Sequence, residues 1–533
     1  MASNQPIALT PAKLINATLS VAAVLALIAS YEAAKAVLKR RSRRNRRSFS
    51  TEAKRVEVRD EDLASEDEEE EEEEMRSVAG ESVISHELGP KLRLGADGRP
   101  VSGLQRDRLV VREGRMSDTE INMHLSTLLD HLKERTRHHL GYPYNLSFHV
   151  DNLVPFLQYS VNNLGDPFVA SNYGVHSRDF EIAVLDFFAN IYRIPRDQYW
   201  GYCTCSGTEG NLLGVLYGRE KFMPKRDAVL YCSRDTHYSV PKAAAMYRMD
   251  LELIDSDENG EMIYADLERK LLKHPNRPAL ININVGTTVK GASDTVDEVL
   301  AVLKKLNIPR EKFYIHVDGA LSGVILPFVS SRCENKRIAF DKPIDSVSVS
   351  GHKMLGKFLL FQSGYLLQTL TKRVIGTPMP SGIVITRLEH SQRWASDVEY
   401  LNSTDTTIMG SRNGQAAIAM WVALQRKGID GLRTDVVQCI DNAKYLKELL
   451  DSSGIKSWLN EFSTTVTFER PPEDVVQKWQ LACKGDIAHA VVMPSVHKKK
   501  LRAFHNDFVE ARKRGTEEVP KDPRDTTLFT GGG

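Results

Sequence analysis

Cysteine is scarce and scattered. Six occur in 533 residues (Cys203, Cys205, Cys232, Cys333, Cys439 and Cys483). Cys203 and Cys205 form C-x-C rather than C-x-x-C, and no second pair or histidine cluster completes a zinc site. The same scatter offers no disulfide framework, so the thiols read as reduced. An excess of charge of either sign is also missing. The 71 Lys and Arg against 70 Asp and Glu leave a formal net charge of +1, which carries no electrostatic footprint for nucleic acid or an acidic partner. Acids nearly vanish from the first fifty residues, where Glu32 stands alone. A positive leader before the first apolar stretch is absent apart from Lys13, which argues against a secretory signal peptide.

What the N-terminal region does contain is an apolar stretch, Leu14 to Tyr31, at the lower edge of membrane-spanning length. The basic run "KRRSRRNRR", Lys39 to Arg47, follows it and would hold the rest of the chain on the cytoplasmic face. The segment reads as a membrane anchor, as an organellar transit peptide (plastid or mitochondrion), or as an incidental helix. Next comes "EDEEEEEEE", Glu66 to Glu74, too densely charged to pack and read as a solvated tether.

A hydrophobic content of 41% and a charged content of 26% are ordinary for a globular body with a large core. That body opens near Met116. Ser117 and Glu120 form a capping box, and Ile121, Leu125, Leu128, Leu129 and Leu132 recur at helical spacing. The organisation read from the chain is an anchor or targeting segment over 1–50, an acidic linker over 51–115 and a helical segment over 116–200. A large domain of alternating helix and strand patterns over 201–400, a small C-terminal domain over 401–515 and a loose tail over 516–533 complete it.

Strand-like runs at Ala228–Ser233, Ala279–Val285, Phe313–Ala320 and Ser346–Ser350 alternate with helix-like stretches such as Thr295–Leu306. Such alternation predicts an α/β fold with a mostly parallel sheet, whose ligands gather beyond the carboxyl ends of the strands. The alternation of "SVSVS" predicts a half-buried strand at Ser346–Ser350.

Four stretches carry side chains that chemistry could use. "SGTEGN", Ser206–Asn211, sets small residues before a helix, where backbone N–H groups and the helix dipole suit a phosphate. "SRDTHYSV" places His237 after a strand, although a lone histidine there is as readily a packed core residue. "IHVDGA" places Asp318 late in an apolar strand, where a carboxylate needs a cationic partner. "SVSVSGHK" ends in Lys353, whose amine, once desolvated, can form a Schiff base. A phosphate cradle, an aromatic face, an acid for a ring nitrogen and an amine are the parts of a pyridoxal phosphate site.

With these, "HHLGYPYNLSF", "NNLGDPF", "SNYGVHSRDFE", "NVGTTVKGA", "PMPSGIVITR", "TIMGSRNG" and "GDIAHAVVMPS" cover about residues 116–510. In these motifs the chain resembles the group II pyridoxal-phosphate-dependent amino-acid decarboxylases, and within them the plant-type serine decarboxylases and related histidine decarboxylases. The resemblance implies an aspartate-aminotransferase-like fold (type I) with a smaller C-terminal α/β domain, and a homodimer with shared active sites. It implies that Lys353 binds the cofactor covalently and returns a proton to the product, that Asp318 pairs with the ring nitrogen, and that His237 stacks on the ring beside the substrate. Gly207, Thr208, Ser350 and His352, with Ser206 nearby, would hold the phosphate, and Thr288 and Ala320 would touch the ring. "TIMGSRNG", ending at Gly414, would help complete the pocket, including from a partner chain. The implied reaction is decarboxylation of L-serine to ethanolamine, with histidine as the alternative substrate and a catalytically silent scaffold as the alternative of another class.

Two departures stand out. In the family, G-x-P-M-P-x-G follows the lysine closely, whereas here "KFLLFQSGYLLQTLTKRVIG", Lys357–Gly376, intervenes before "TPMPSG". It reads either as an amphipathic insertion or as translated intron, the second favoured because its removal restores the pattern without a gap. Cys205 stands where the family often has polar residues or glycine, and reads as packing.

Overall fold

The computed structural model describes residues 109, 111, 114–146, 151–329, 334–355 and 377–517. Leu14–Tyr31, the basic and acidic runs, Lys357–Gly376 and the tail beyond 517 lie outside the described residues. Among the described residues no helix is long and apolar enough to cross a membrane.

Helix α1, Asp118–Arg137, begins with both halves of the capping box that Ser117 and Glu120 predict. Among the described residues its apolar row stays uncovered: Leu125 is 58% exposed, and Ile121, Leu128, Leu129 and Leu132 are exposed too. Past it, the Leu140 N–H donates to the Trp479 carbonyl and the Val491 N–H donates to the Leu140 carbonyl, tying the N-terminal segment to the C-terminal region.

The body then alternates as expected. Helix α2 (Arg178–Ile191) leads to β1 (Tyr199–Thr204) and α3 (Gly207–Lys221). Next come β2 (Val229–Ser233), α4 (Ser239–Tyr247), β3 (Asp250–Ile254), α5 (Tyr264–Leu271) and β4 (Ala279–Asn284). Helix α6 (Val296–Lys305), β5 (Phe313–Asp318), β6 (Ser346–Ser350) and β7 (Gly382–Arg387) follow. Among the described residues these strands make one seven-stranded sheet, ordered β1-β7-β6-β5-β4-β2-β3. Only β7 runs against its neighbours, pairing antiparallel with β1 and β6.

Both faces of the sheet are covered, which corrects one expectation: β6 is buried along its whole length rather than half-buried. Its serines survive burial by hydrogen bonding. Ser346 lies 2.7 Å from His316 Nδ1, and Ser348 donates to Asn211 Oδ1. Helix α3 lies on β5, β6 and β7, and a row of glycines lets it come close. A Cβ on Gly210 would fall 2.6 Å from Ser348 Cβ, and one on Gly214 would fall 2.1 Å from the His316 ring.

Helix α7, Gly414–Ser452, packs against α2 and breaks its helical geometry at Gly428 (φ 60°). A second, antiparallel sheet follows, from β8 (Ser457–Leu459), β9 (Thr465–Glu469), β10 (Ala482–Lys484) and β11 (Ile487–Val491), in the order β8-β9-β11-β10. Helix α8, Lys498–Glu517, packs against α7.

Candidate active site

A cavity of about 370 Å³ opens beyond the carboxyl ends of β2, β4, β5 and β6. It is the position the fold favours for a ligand. All ten residues singled out from the sequence line it: Ser206, Gly207, Thr208, His237, Thr288, Asp318, Ala320, Ser350, His352 and Lys353. The chain brings them together because each follows or ends a strand of the same sheet, although Ser206 and Lys353 are far apart in sequence.

One end of the cavity suits an anion. Ser206 occupies the N-cap of α3 without a side-chain capping bond, leaving the first N–H groups of the helix without that partner. A Cβ on Gly207 would sit 2.6 Å from Ala320 Cβ and 2.8 Å from Ser350 Oγ, so any side chain there would fill the cradle. The helix dipole adds positive potential at the same spot.

Deeper in, Asp318 is 6% exposed and makes no ion pair among the described residues. Its Oδ1 accepts from the Ala320 N–H at 3.1 Å and its Oδ2 from Asn211 Nδ2 at 2.7 Å. Two hydrogen bonds leave part of a carboxylate's accepting capacity unused, open to a cationic ring N–H. The donor set therefore fits pyridoxal phosphate: the mouth of α3 would hold the phosphate and Asp318 the ring nitrogen.

Lys353 sits in a single helical turn, Gly351–Met354, after β6. Burial pushes its ammonium pKa down, and the nearby Asp318 charge only partly offsets this. A larger neutral fraction makes the amine a better nucleophile. His237 is lowered as well, first by burial, with Asp318 opposing and Lys353 and Lys242 adding to the fall. It therefore stays neutral near pH 7. Burial also lowers His352, against the effect of the Ser381 carbonyl 2.7 Å from its Nδ1.

Several cavity residues were not foreseen. Pro143 and Tyr144 reach in from the segment after α1, and Val491 from the end of β11. Asn211 lines the cavity from inside the quoted "SGTEGN", where an amide reads only as a turn or cap residue. Conversely, "TIMGSRNG" lines no part of this cavity among the described residues, and Arg412 turns inward to pair with buried Glu181. Cys205, expected to pack, is exposed, and its thiol pKa is raised by partial burial and by Glu209.

Comparison with known proteins agrees with this geometry. The profile of the pyridoxal-dependent decarboxylase conserved domain matches residues 175–468. Serine decarboxylase 1 of Oryza sativa subsp. japonica is 52% identical over 382 residues, covering 72% of this chain and 74% of that protein. A histidine decarboxylase of Solanum lycopersicum is 44% identical over 395 residues, covering 74% and 89%. Among solved structures, L-methionine decarboxylase from Streptomyces sp. 590 superposes with a TM-score of 0.66 over 76% of this chain and 97% of that one. At 23% identity, that likeness speaks to the fold.

Proposed function

The chain belongs to the pyridoxal-dependent decarboxylases, amino-acid lyases that use pyridoxal phosphate, and from that premise we propose that it converts L-serine to ethanolamine and carbon dioxide. The observation that carries the substrate is the 52% identity to a rice serine decarboxylase. The cavity of about 370 Å³ beside Lys353 and Asp318 is where cofactor and substrate would meet.

Pyridoxal phosphate supplies the electron sink that takes up the bonding pair as carbon dioxide leaves. The protein's residues do the rest. The N–H groups of Gly207 and Thr208 and the Ser350 hydroxyl would hold the phosphate. Asp318 would keep the ring nitrogen protonated. His237 would lie against the ring and orient the substrate. Lys353 would hold the cofactor covalently until the substrate amine displaces it, and the released side chain, as the ammonium, would deliver a proton to the product carbon.

The test is amine formation by the cofactor-loaded enzyme given serine or histidine. Ethanolamine from serine, with little histamine from histidine, is the expected result. The reverse preference would move the chain to the histidine decarboxylases, and no amine from either despite bound cofactor would favour the silent scaffold.

A homodimer is part of the reading. The exposed apolar row of α1 supports it, since a second copy would cover Leu125 and Leu129; light scattering measures it. The N-terminal stretch Leu14–Tyr31 with its basic flank supports a tether that holds the enzyme on a cytoplasmic membrane face. Fractionation of a tagged protein separates this from import into an organelle.

A further inference from the structure

Asn211 is 1% exposed, and all four hydrogen-bonding positions of its amide are used. Nδ2 donates to Asp318 Oδ2 at 2.7 Å and to Ser239 Oγ at 2.9 Å. Oδ1 receives His316 Nε2 at 3.0 Å and the Ser348 hydroxyl. The amide can point only this way, because the reverse would set its oxygen against the Asp318 carboxylate, acceptor against acceptor.

The consequences run outward in both directions. An amide oxygen accepts, so His316 must carry its proton on Nε2, and its Nδ1 takes the Ser346 hydroxyl 2.7 Å away. On the other side, Ser239 Oγ already accepts from Asn211 and is free to donate to His237 Nδ1, 2.7 Å distant. The Ser239 backbone N–H approaches the same nitrogen at 3.3 Å. With Nδ1 accepting, neutral His237 carries its proton on Nε2, which has no partner among the described residues.

We propose that Asn211 is a positioning residue that binds Asp318 and His237 into one frame and, through Ser239, fixes His237 as the Nε2–H tautomer. His237 therefore offers a hydrogen bond into the cavity and does not accept a proton there; it steadies an anionic group of the substrate rather than acting as a base. This rests on His237 and Asp318 contacting the cofactor, as proposed above.

The test uses the pyridoxal-phosphate-loaded enzyme with nitrogen-15 histidine, the His237 signals being assigned by their loss in His237→Gln. The expected result is Nε2–H in the wild type. Ser239→Ala, which removes the hydroxyl and leaves only the long backbone contact to Nδ1, should raise the Nδ1–H fraction and give a mixed tautomer. Asn211→Ala should yield the same mixture and weaken cofactor binding about 10- to 100-fold, the scale of one lost charge-assisted hydrogen bond. Nδ1–H in the wild type, or Nε2–H kept in both variants, overturns the proposal. If Asn211→Ala does not fold, the wild type and Ser239→Ala still decide. Failure of the wild type to gain absorbance with pyridoxal phosphate would instead count against the cofactor contacts, and the tautomer can still be read in the cofactor-free protein.

Discussion

The ring of Tyr144 stacks on that of His352, with centroids 5.7 Å apart and planes 27° from parallel. The stack, with the Asn145 N–H 3.5 Å from the His352 carbonyl, pins the N-terminal segment over the turn that bears Lys353. Aromatic contacts of this kind contribute about 0.5–1.5 kcal/mol. Tyr144→Ala should therefore raise the serine KM about 3- to 10-fold, while Tyr144→Phe, which keeps the stack, should stay near wild type. Steady-state kinetics on the three proteins checks this.

Lys353→Ala removes both the amine that holds the cofactor and the proton it delivers. Turnover should fall by at least about 10³-fold, with the long-wavelength absorbance of the covalently held cofactor lost. In the cofactor-free protein, the lowered pKa of Lys353 means more neutral amine near pH 8. Peptide mapping after mild acylation should find Lys353 modified ahead of lysines on the open surface.

Gly207→Ala tests the anion cradle. The added methyl meets Ala320 and Ser350 rather than open space. The steric cost of about 1–3 kcal/mol falls on the fold itself and displaces Ser350, so the variant should unfold at lower urea and bind the cofactor more weakly. Urea unfolding of the unloaded protein and fluorescence titration with pyridoxal phosphate measure the two effects.

Acid should weaken the fold through His316. Burial lowers its pKa from 6.5 to about 4, so between these values the unfolded chain binds a proton that the native chain does not. Stability therefore rises with pH across that window and is lost on acidification, by up to about 3 kcal/mol for this one group. His489, also lowered to about 4, acts in the same direction, whereas Asp294, raised to about 6, opposes both. The gap between the urea midpoints at pH 6.5 and pH 4.5 should be smaller in His316→Gln than in the wild type, because the share of the mutated group disappears.

Deleting Lys357–Gly376 should leave a protein that binds cofactor and makes ethanolamine at least as well as the full chain, if the segment is translated intron. Side-by-side amine assays decide it. A deletion that abolishes cofactor binding would make the segment an integral part of the lysine turn.

The residues that do chemistry were legible because their types are costly where they stand. A carboxylate late in an apolar strand, as at Asp318, and a lysine at a strand's end ask for partners, and the cavity supplies the setting for them. Asn211 was not legible, since an amide is neutral and its importance comes from four partners spread over α4, β5 and β6. Tyr144 and Val491 come from segments whose approach to the sheet depends on long-range packing rather than local pattern. The alternation in "SVSVS" misled for a related reason: small serines tolerate burial when a glycine-lined helix covers them.

That glycine row also bears on the order of assembly. Gly207, Gly210, Gly214 and Gly218 lie within the fifteen residues of α3, and each disfavours an isolated helix by about 1 kcal/mol relative to alanine. On its own the segment should remain coil; it becomes a helix when β5 and β6 are present to receive it. The anion cradle at its first turn should therefore take shape only with the sheet in place. Substitutions of glycine by alanine, helpful on an ordinary helix, should here weaken the native enzyme, because the methyls at 210 and 214 would collide with Ser348 and His316.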